Sequence, residues 1–396
     1  MAIRKALDAA ALALALCAGM CGCGKTLAGG TSAGAGAPAL GAGALEGHGT
    51  ATVATKNTTR LGGADPVSDA AAVALAVYPG LTAATRPQAV VLVDRHDWPA
   101  ALVASTLAGR PLHAPLLFTD ADSVPSVSAS ALAAMAPTGA AGVEGAQTIS
   151  VGDAPAPARY RSRAVRAGDV AALAVAVEQL GSALRKRSPN RVIVTALDAP
   201  PAMTMPAAGL AAQSGAPILL VQRDRVPAAT AAELARLAQP TIYVVGPSSV
   251  VSGQALSELR HYGPVRRIGG TDPATNAIAV ARFSDGTFGW GVLEPGHGLA
   301  FANASRPLDG PAAAPLAATG DYAPLLLLEA PDAIPGALGS YLGDLQPGTP
   351  TSGPVHGVYN HGWLIGDESA ISAGTQASID AILQISPREG SEPEVG

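Results

Sequence analysis

The chain has 396 residues, of which 48% are hydrophobic, 14% charged and only 4% aromatic, with a net charge of −5. That length and apolar content suit two or three domains whose cores are built from Ala, Val and Leu. The acidic balance excludes a general nucleic-acid binder, which needs a basic surface, but leaves room for a local basic pocket.

In chain order, Arg4 and Lys5 precede an apolar run at residues 9–22. The run is shorter than the roughly 20 residues a spanning helix needs and suits a secretory signal. All three cysteines, Cys17, Cys21 and Cys23, sit at its end. The rest of the chain therefore has no disulfide framework and no cysteine zinc site. Met20-Cys21-Gly22-Cys23 reads as a bacterial lipobox. Residues 1–22 are then a signal peptide and Cys23 is the lipidated N-terminus; an ordinary cleaved signal and an uncleaved anchor are the alternatives. Residues 23–56, rich in Gly, Ala and Ser, read as a flexible tether. Residues 19–26 match a P-loop pattern and residues 30–34 a nucleophile elbow. Neither lies between a strand and a helix, so neither is read as a site.

The remainder repeats itself. Ala114-Pro115-Leu116-Leu117 returns as Ala216-Pro217-Ile218-Leu219 and Ala323-Pro324-Leu325-Leu326, about a hundred residues apart. Each is followed at a near-constant offset by a second hydrophobic–Pro pair: Val124-Pro125, Val226-Pro227 and Ile334-Pro335. The reading is three tandem repeats at 57–158, 159–264 and 265–385, then a disordered acidic tail at 386–396. Repeats 1 and 3 open with Arg60-Leu61-Gly62-Gly63-Ala64-Asp65-Pro66 and Arg267-Ile268-Gly269-Gly270-Thr271-Asp272-Pro273, where Asp is a helix N-cap and Pro the first helical residue. Repeat 2 has a degenerate version ending in Asp169. Helices are predicted at 67–77, 170–184 and 274–282. Continuous apolar runs at 89–94, 192–196 and 298–304 predict strands buried on both faces. Small-residue helices follow at 99–108, 201–213 and 311–319. The Ala-Pro phrases then start second strands at 115–119, 217–222 and 324–329, the hydrophobic–Pro pairs start a further helix, and third strands lie at 148–153, 242–246 and 363–367. Such alternation predicts an α/β fold with parallel sheets. An insertion at 283–297 carries Phe288 and Trp290. It reads as a lid over an inter-repeat seam or as a sugar-stacking platform.

These openings, the Ala-Pro-Leu-Leu strand and the terminal Val-Val-Gly strand resemble the bacterial cell wall-binding repeat type 2 family. The resemblance implies three small Rossmann-like or Toprim-like units packed as an intramolecular pseudo-trimer, without catalysis of its own. It also implies non-covalent binding to an anionic cell-wall polymer. The chain departs from the family in its loops: the loop Asp is Ala100 in repeat 1 and Ala202 in repeat 2, and is kept only as Asp309.

Candidate ligand residues follow from chemistry. Arg60, Arg267 and the degenerate pair Arg163 and Arg166 recur at the repeat openings, and arginine forks suit a polyanion. Alternatively, each pairs with Asp65, Asp272 or Asp169 and fixes the helix entry. Asp94, His96, Asp97 and Trp98 cluster just past the first strand of repeat 1, where ligands of open α/β sheets bind. They suit a cation or a sugar, or form a solvated loop. His356 and His361 fall in a glycine-rich loop rather than at zinc-ligand spacing. The expectation is an exported, lipid-anchored, non-catalytic monomer on the outer face of the cytoplasmic membrane, with a cell-wall polymer as partner and neither cofactor nor metal. The alternative is an exported α/β surface enzyme, or a solute- or protein-binding lipoprotein, on the same fold.

Overall fold

The computed structural model describes residues 51–319, 322–350 and 358–388. The signal, Cys23, the P-loop and elbow matches, His356 and residues 389–396 lie outside the described residues. The expected tether ends early, because β1 (Ala51–Ala54) runs antiparallel to β2 (Thr58–Gly62). α1 (Pro66–Val77) begins where Asp65 accepts hydrogen bonds from the Val67 and Ser68 amides. Asp169 and Asp272 cap their helices in the same way. Then come β3 (Val90–Asp94), α2 (Trp98–Ala104) prolonged by a 3-10 turn at Ser105–Ala108, β4 (Leu116–Thr119), α3 (Ser126–Met135), β5 (Thr148–Val151) and β6 (Ser162–Val165).

The second round is α4 (Val170–Arg185), β7 (Arg191–Ala196), α5 (Pro201–Thr204), α6 (Pro206–Ser214), β8 (Ile218–Val221), α7 (Ala228–Arg236), β9 (Thr241–Val245), α8 (Gly253–Leu259) and β10 (Val265–Ile268). The third is α9 (Pro273–Arg282), β11 (Gly298–Asn303), α10 (Asp309–Ala318), β12 (Leu325–Leu328), α11 (Gly336–Asp344), β13 (Gly348–Pro350), β14 (His361–Ile365), α12 (Ala373–Leu383) and β15 (Ser386–Arg388). β15 pairs with β13, so the start of the expected tail is structured. Pro125, Pro227 and Pro335 each occupy the N-cap of α3, α7 and α11. The residue before each Ala-Pro pair is left-handed: φ is 50° at His113, 67° at Gly215 and 49° at Tyr322. This sharp reversal out of the preceding helix is a shared feature of the three repeats.

Three parallel sheets result. Sheet I has the order β4-β3-β5-β6 and sheet II the order β8-β7-β9-β10. Sheet III has the order β12-β11-β14-β2, extended antiparallel by β1. The repeated opening phrase thus contains a strand that the sequence reading did not assign, and that strand serves the preceding sheet. β6 completes sheet I and β10 completes sheet II, while β2, at the other end of the chain, closes sheet III. The helix that follows each opening strand packs on the next sheet: α1 lies on β4, α4 on β8 and α9 on β12. The sequence repeats are therefore interlocked rather than side by side.

The helices between first and second strands form the common centre. α6 packs on α10, and both touch the 3-10 turn after α2. Their facing residues are small: Ala207, Ala208, Ala212, Ala312, Ala314 and Ala317 are all buried. Small side chains let helices approach closely with few voids, so the low aromatic content is matched to this packing. Gly209 illustrates the fit, since a Cβ there would sit 3.3 Å from the Trp290 ring. The insertion at 283–297 packs as a clasp over sheet II. Phe288 stacks on Tyr243 of β9 at 3.8 Å, and Asp285 accepts from the Tyr243 hydroxyl at 2.6 Å and from Arg266 at 2.7 Å. Trp290 donates to the Tyr322 carbonyl at 2.9 Å and rests on α6, which makes it a packing residue.

Closure by β2 makes a prediction. Leu61 is buried between sheet III and α1. Leu61→Ala should cost about 2–5 kcal/mol in denaturant unfolding. It should also speed amide exchange in β14 before it speeds exchange in β7. Equal acceleration in both strands would contradict the closure role.

Candidate ligand-binding site

The arginines expected to face a ligand are built into the body. Arg60 lies on β2 and is 5% exposed. Its guanidinium donates to the Gly366 carbonyl at 3.0 Å, the Ile371 carbonyl at 2.7 Å and the Gln376 side chain at 3.0 Å. Arg267 on β10 repeats the arrangement, donating to the Gly246 carbonyl at 2.7 Å and the Val251 carbonyl at 2.6 Å. Each arginine thereby ties down the loop that leads from a third strand into α12 or α8. Neither pairs with Asp65 or Asp272, which are occupied as helix caps. The physical reason is accounting: carbonyls in a buried turn need donors, and one guanidinium supplies several. Burial lowers the pKa of both arginines, and the Glu368 and Asp367 carboxylates oppose that at Arg60.

The third equivalent is missing. The register opposite β5 puts Ala164 where Arg60 and Arg267 stand. Arg163 is one position off and exposed, and Arg166 is exposed and only 3.7 Å from Asp153. Between β5 and β6 there is no helix to anchor, so the loss of the arginine and the loss of the helix go together.

The cluster past β3 is a solvated loop with local pairings. The His96 ring lies 2.9 Å from Asp94 Oδ1 and is largely exposed. Asp97 caps α2 through the Ala100 amide at 2.9 Å, and Trp98 packs against the core. Arg95 pairs with Asp120 at 2.7 Å. Among the described residues, no three His, Cys, Asp or Glu side chains are placed to hold a metal ion.

Asp309 is not a surface loop residue. It is fully buried where α1 meets the start of α10, facing Asp69 and Arg306. Arg306 pairs with Asp69 and lies 3.0 Å from an Asp309 oxygen without hydrogen-bond geometry. Asp69 also accepts from the Gly63 amide at 2.7 Å. Gly62, at φ 126°, is required there, because a Cβ would collide with the Asp69 carboxylate. Two carboxylates share one arginine in a dry seam. Burial pushes Asp69 up to about 6, with the Arg306 charge pulling the other way. Burial, then the Asp69 charge, raises Asp309 well above the carboxylate range. The equivalent of Asp69 in repeat 3 is Asn276, which accepts from the Gly270 amide at 3.1 Å and donates to the Met203 carbonyl at 2.6 Å. In repeat 2 it is Leu173, buried near Gly152. One position thus locks three seams by three chemistries: an ion pair, an amide bridge and an apolar contact.

A second buried pair sits between α4 and α7. Glu178 is raised to about 7 by burial and by Glu233, and Arg236 bridges both. Sequence reading missed both pairs because their members lie far apart in the chain.

Comparison with solved structures places the fold. Cwp6 and Cwp8, cell wall proteins from Clostridium difficile, superpose with TM-scores of 0.64 and 0.63 at 18% and 17% identity. The match covers 83% of this chain in both cases, and 48% and 52% of those chains. The chain therefore spans about half the length of the structures it matches. No family model matches the chain, and no curated protein matches it in sequence.

The carboxylate seam predicts a pH signature. A carboxyl whose folded pKa lies above its unfolded value binds more protons when folded, so stability falls as pH rises from about 4 through 6. Asp309→Asn leaves one carboxylate per arginine. Relative to the native chain it should gain about 1–3 kcal/mol between pH 4 and pH 8 in urea unfolding. The Glu178 pair contributes equally to both proteins and cancels. Parallel pH profiles would refute the shared-arginine account.

Proposed function

We propose that the chain is a non-catalytic cell-envelope protein whose three-repeat body binds an anionic cell-wall polymer without a covalent bond. The observation that carries this reading is the interlocked three-sheet body, which superposes over 83% of the chain on two cell wall proteins. The repeat-family resemblance supports the same reading, as do the signal-like N-terminus and Cys23 in its lipobox. Lipidation at Cys23 would hold the body at the outer face of the cytoplasmic membrane while the repeats engage the wall, making the chain a link between two layers of the envelope.

The placement of Arg60 and Arg267 limits how the polymer is held. Their guanidinium groups serve internal carbonyls, so the contact surface is not a ring of three equivalent arginines at the repeat openings. Binding then depends on charges outside the repeated phrase.

Purified chain should co-sediment with isolated cell walls, and raised salt should release it, because exposed charge pairs are screened. Walls stripped of anionic polymer should leave the protein in the supernatant. Equal pelleting with stripped and intact walls would overturn the polymer reading. Separately, the native chain should incorporate a labelled fatty acid and Cys23→Ala should not; equal labelling of the two would remove the lipid anchor from the account.

A further inference from the structure

At the seam between sequence repeats 1 and 2 four arginines converge on one cavity of about 160 Å³. Arg110 comes from the loop before β4, and Arg185, Arg187 and Arg191 come from the end of α4 and the start of β7. Among the described residues, no carboxylate lines the cavity. Arg95, Arg166, Arg223, Arg236, Arg266, Arg282 and Arg306 each have an acidic partner, whereas none of these four forms an ion pair among the described residues. In a chain of net charge −5, four arginines lining one cavity are a local concentration of positive charge.

The best-placed of the four is Arg185. Its Nη1 donates to the Gly215 carbonyl at 3.3 Å, and its Nη2 is buried with no hydrogen-bond partner among the described residues. Its guanidinium lies over Gly181, where a Cβ would come within 3.0 Å of it. Burial lowers the Arg185 pKa; the Glu178 charge opposes that and the nearby Arg187 charge adds to it. Two guanidinium groups held in one recess repel each other, and a buried donor without an acceptor costs stability. A bound oxyanion at the cavity relieves the repulsion between the guanidinium groups.

The size of the cavity sets the ligand class. It has room for roughly five waters at ~30 Å³ each, enough for one tetrahedral oxyanion and its neighbouring atoms. Arg110 and Arg187 are exposed and form the mouth, so the rest of a larger ligand can continue outside. Several arginine forks can share the oxygens of a tetrahedral phosphate; a diester keeps two charged oxygens, as a carboxylate does, and adds two ester oxygens as weaker acceptors.

We propose that the cavity formed by Arg110, Arg185, Arg187 and Arg191 binds one phosphate-class oxyanion carried on a larger molecule; that this molecule is a phosphodiester wall polymer rests on the functional reading above. The site is not repeated. The register of the first and second strands puts Ala89 and Gly298 where Arg191 stands. The pseudo-symmetric body therefore holds this ligand at one seam.

Titrate the full chain calorimetrically with inorganic phosphate and with a glycerol phosphodiester. Saturable binding of one equivalent is expected. Arg110→Gln and Arg187→Gln, from different repeats and both exposed, should each weaken it roughly tenfold. Arg223→Gln, an exposed arginine paired with Asp224, should leave it unchanged. Non-saturable binding, or equal loss in the Arg223 variant, overturns the site. Wall sedimentation of the same variants separates the two readings. Retention of native chain on walls without phosphate binding sinks the cavity and spares the wall function. Phosphate binding that the variants abolish, with wall retention untouched, keeps the oxyanion site and removes the polymer as its ligand.

Discussion

Each sheet of this protein lacks a strand until the next stretch of chain supplies it. Parallel neighbours need a crossover, and here the crossovers run between sheets as well as within them. β6 and β10 hand the chain forward, and β2 must wait for β14, its partner from the far end of the sequence. Removing one repeat would open an edge in its neighbour and expose unpaired backbone, a known route to aggregation. The three repeats are consequently a single cooperative object, and the ring of strand exchange explains why an opening phrase with buried arginine recurs at all.

The arginine clamp follows from that exchange. The strand supplied from another repeat holds its place only if the loop leaving its neighbour, β14 or β9, is fixed to it. Arg60 and Arg267 do this with two or three donated hydrogen bonds each. Sheet I has neither α8 nor α12 in the corresponding place, and there the clamp position is Ala164. The seams show the same economy one turn further on, at Asp69, Asn276 and Leu173. The buried carboxylates are the least stabilising of these three solutions, since desolvating two acids for one arginine leaves a charge imbalance that a proton corrects.

Most of the fold was legible in the sequence. Continuous apolar runs marked the inner strands, because strands covered on both faces have no polar positions. The Asp-Pro openings and the hydrophobic–Pro pairs marked helix starts through capping chemistry that acts locally. The outer strands Thr58–Gly62, Ser162–Val165 and Val265–Ile268 were not legible. They are short and carry arginine or polar residues, and the partner of β2 lies at the far end of the chain, so no local pattern announces them. The site was harder still. Asp309 read as a retained loop acid open to a ligand, whereas the packing of α1 on α10 buries it in a helix against Asp69.

The four-arginine cavity shows why pseudo-symmetry misleads a search for function. Reading the repeats against one another favours residues that recur, and recurrence here selects for what every repeat must do, which is to fold and close. Arg60 and Arg267 recur because two loops need the same clamp. Arg191 does not recur, and its counterparts Ala89 and Gly298 make no polar demand on their surroundings. A charge that the architecture does not use, held beside three others in a partly dry recess, carries an energetic cost with no structural return. In the sequence these residues are a short basic run with no repeat counterpart, Arg185-Lys186-Arg187-Ser188-Pro189-Asn190-Arg191. Only the approach of the Arg110 loop to the end of α6 turns that run into a cavity wall. In a body built from repeats, the positions that break the pattern at a cost are the better guide to what it binds.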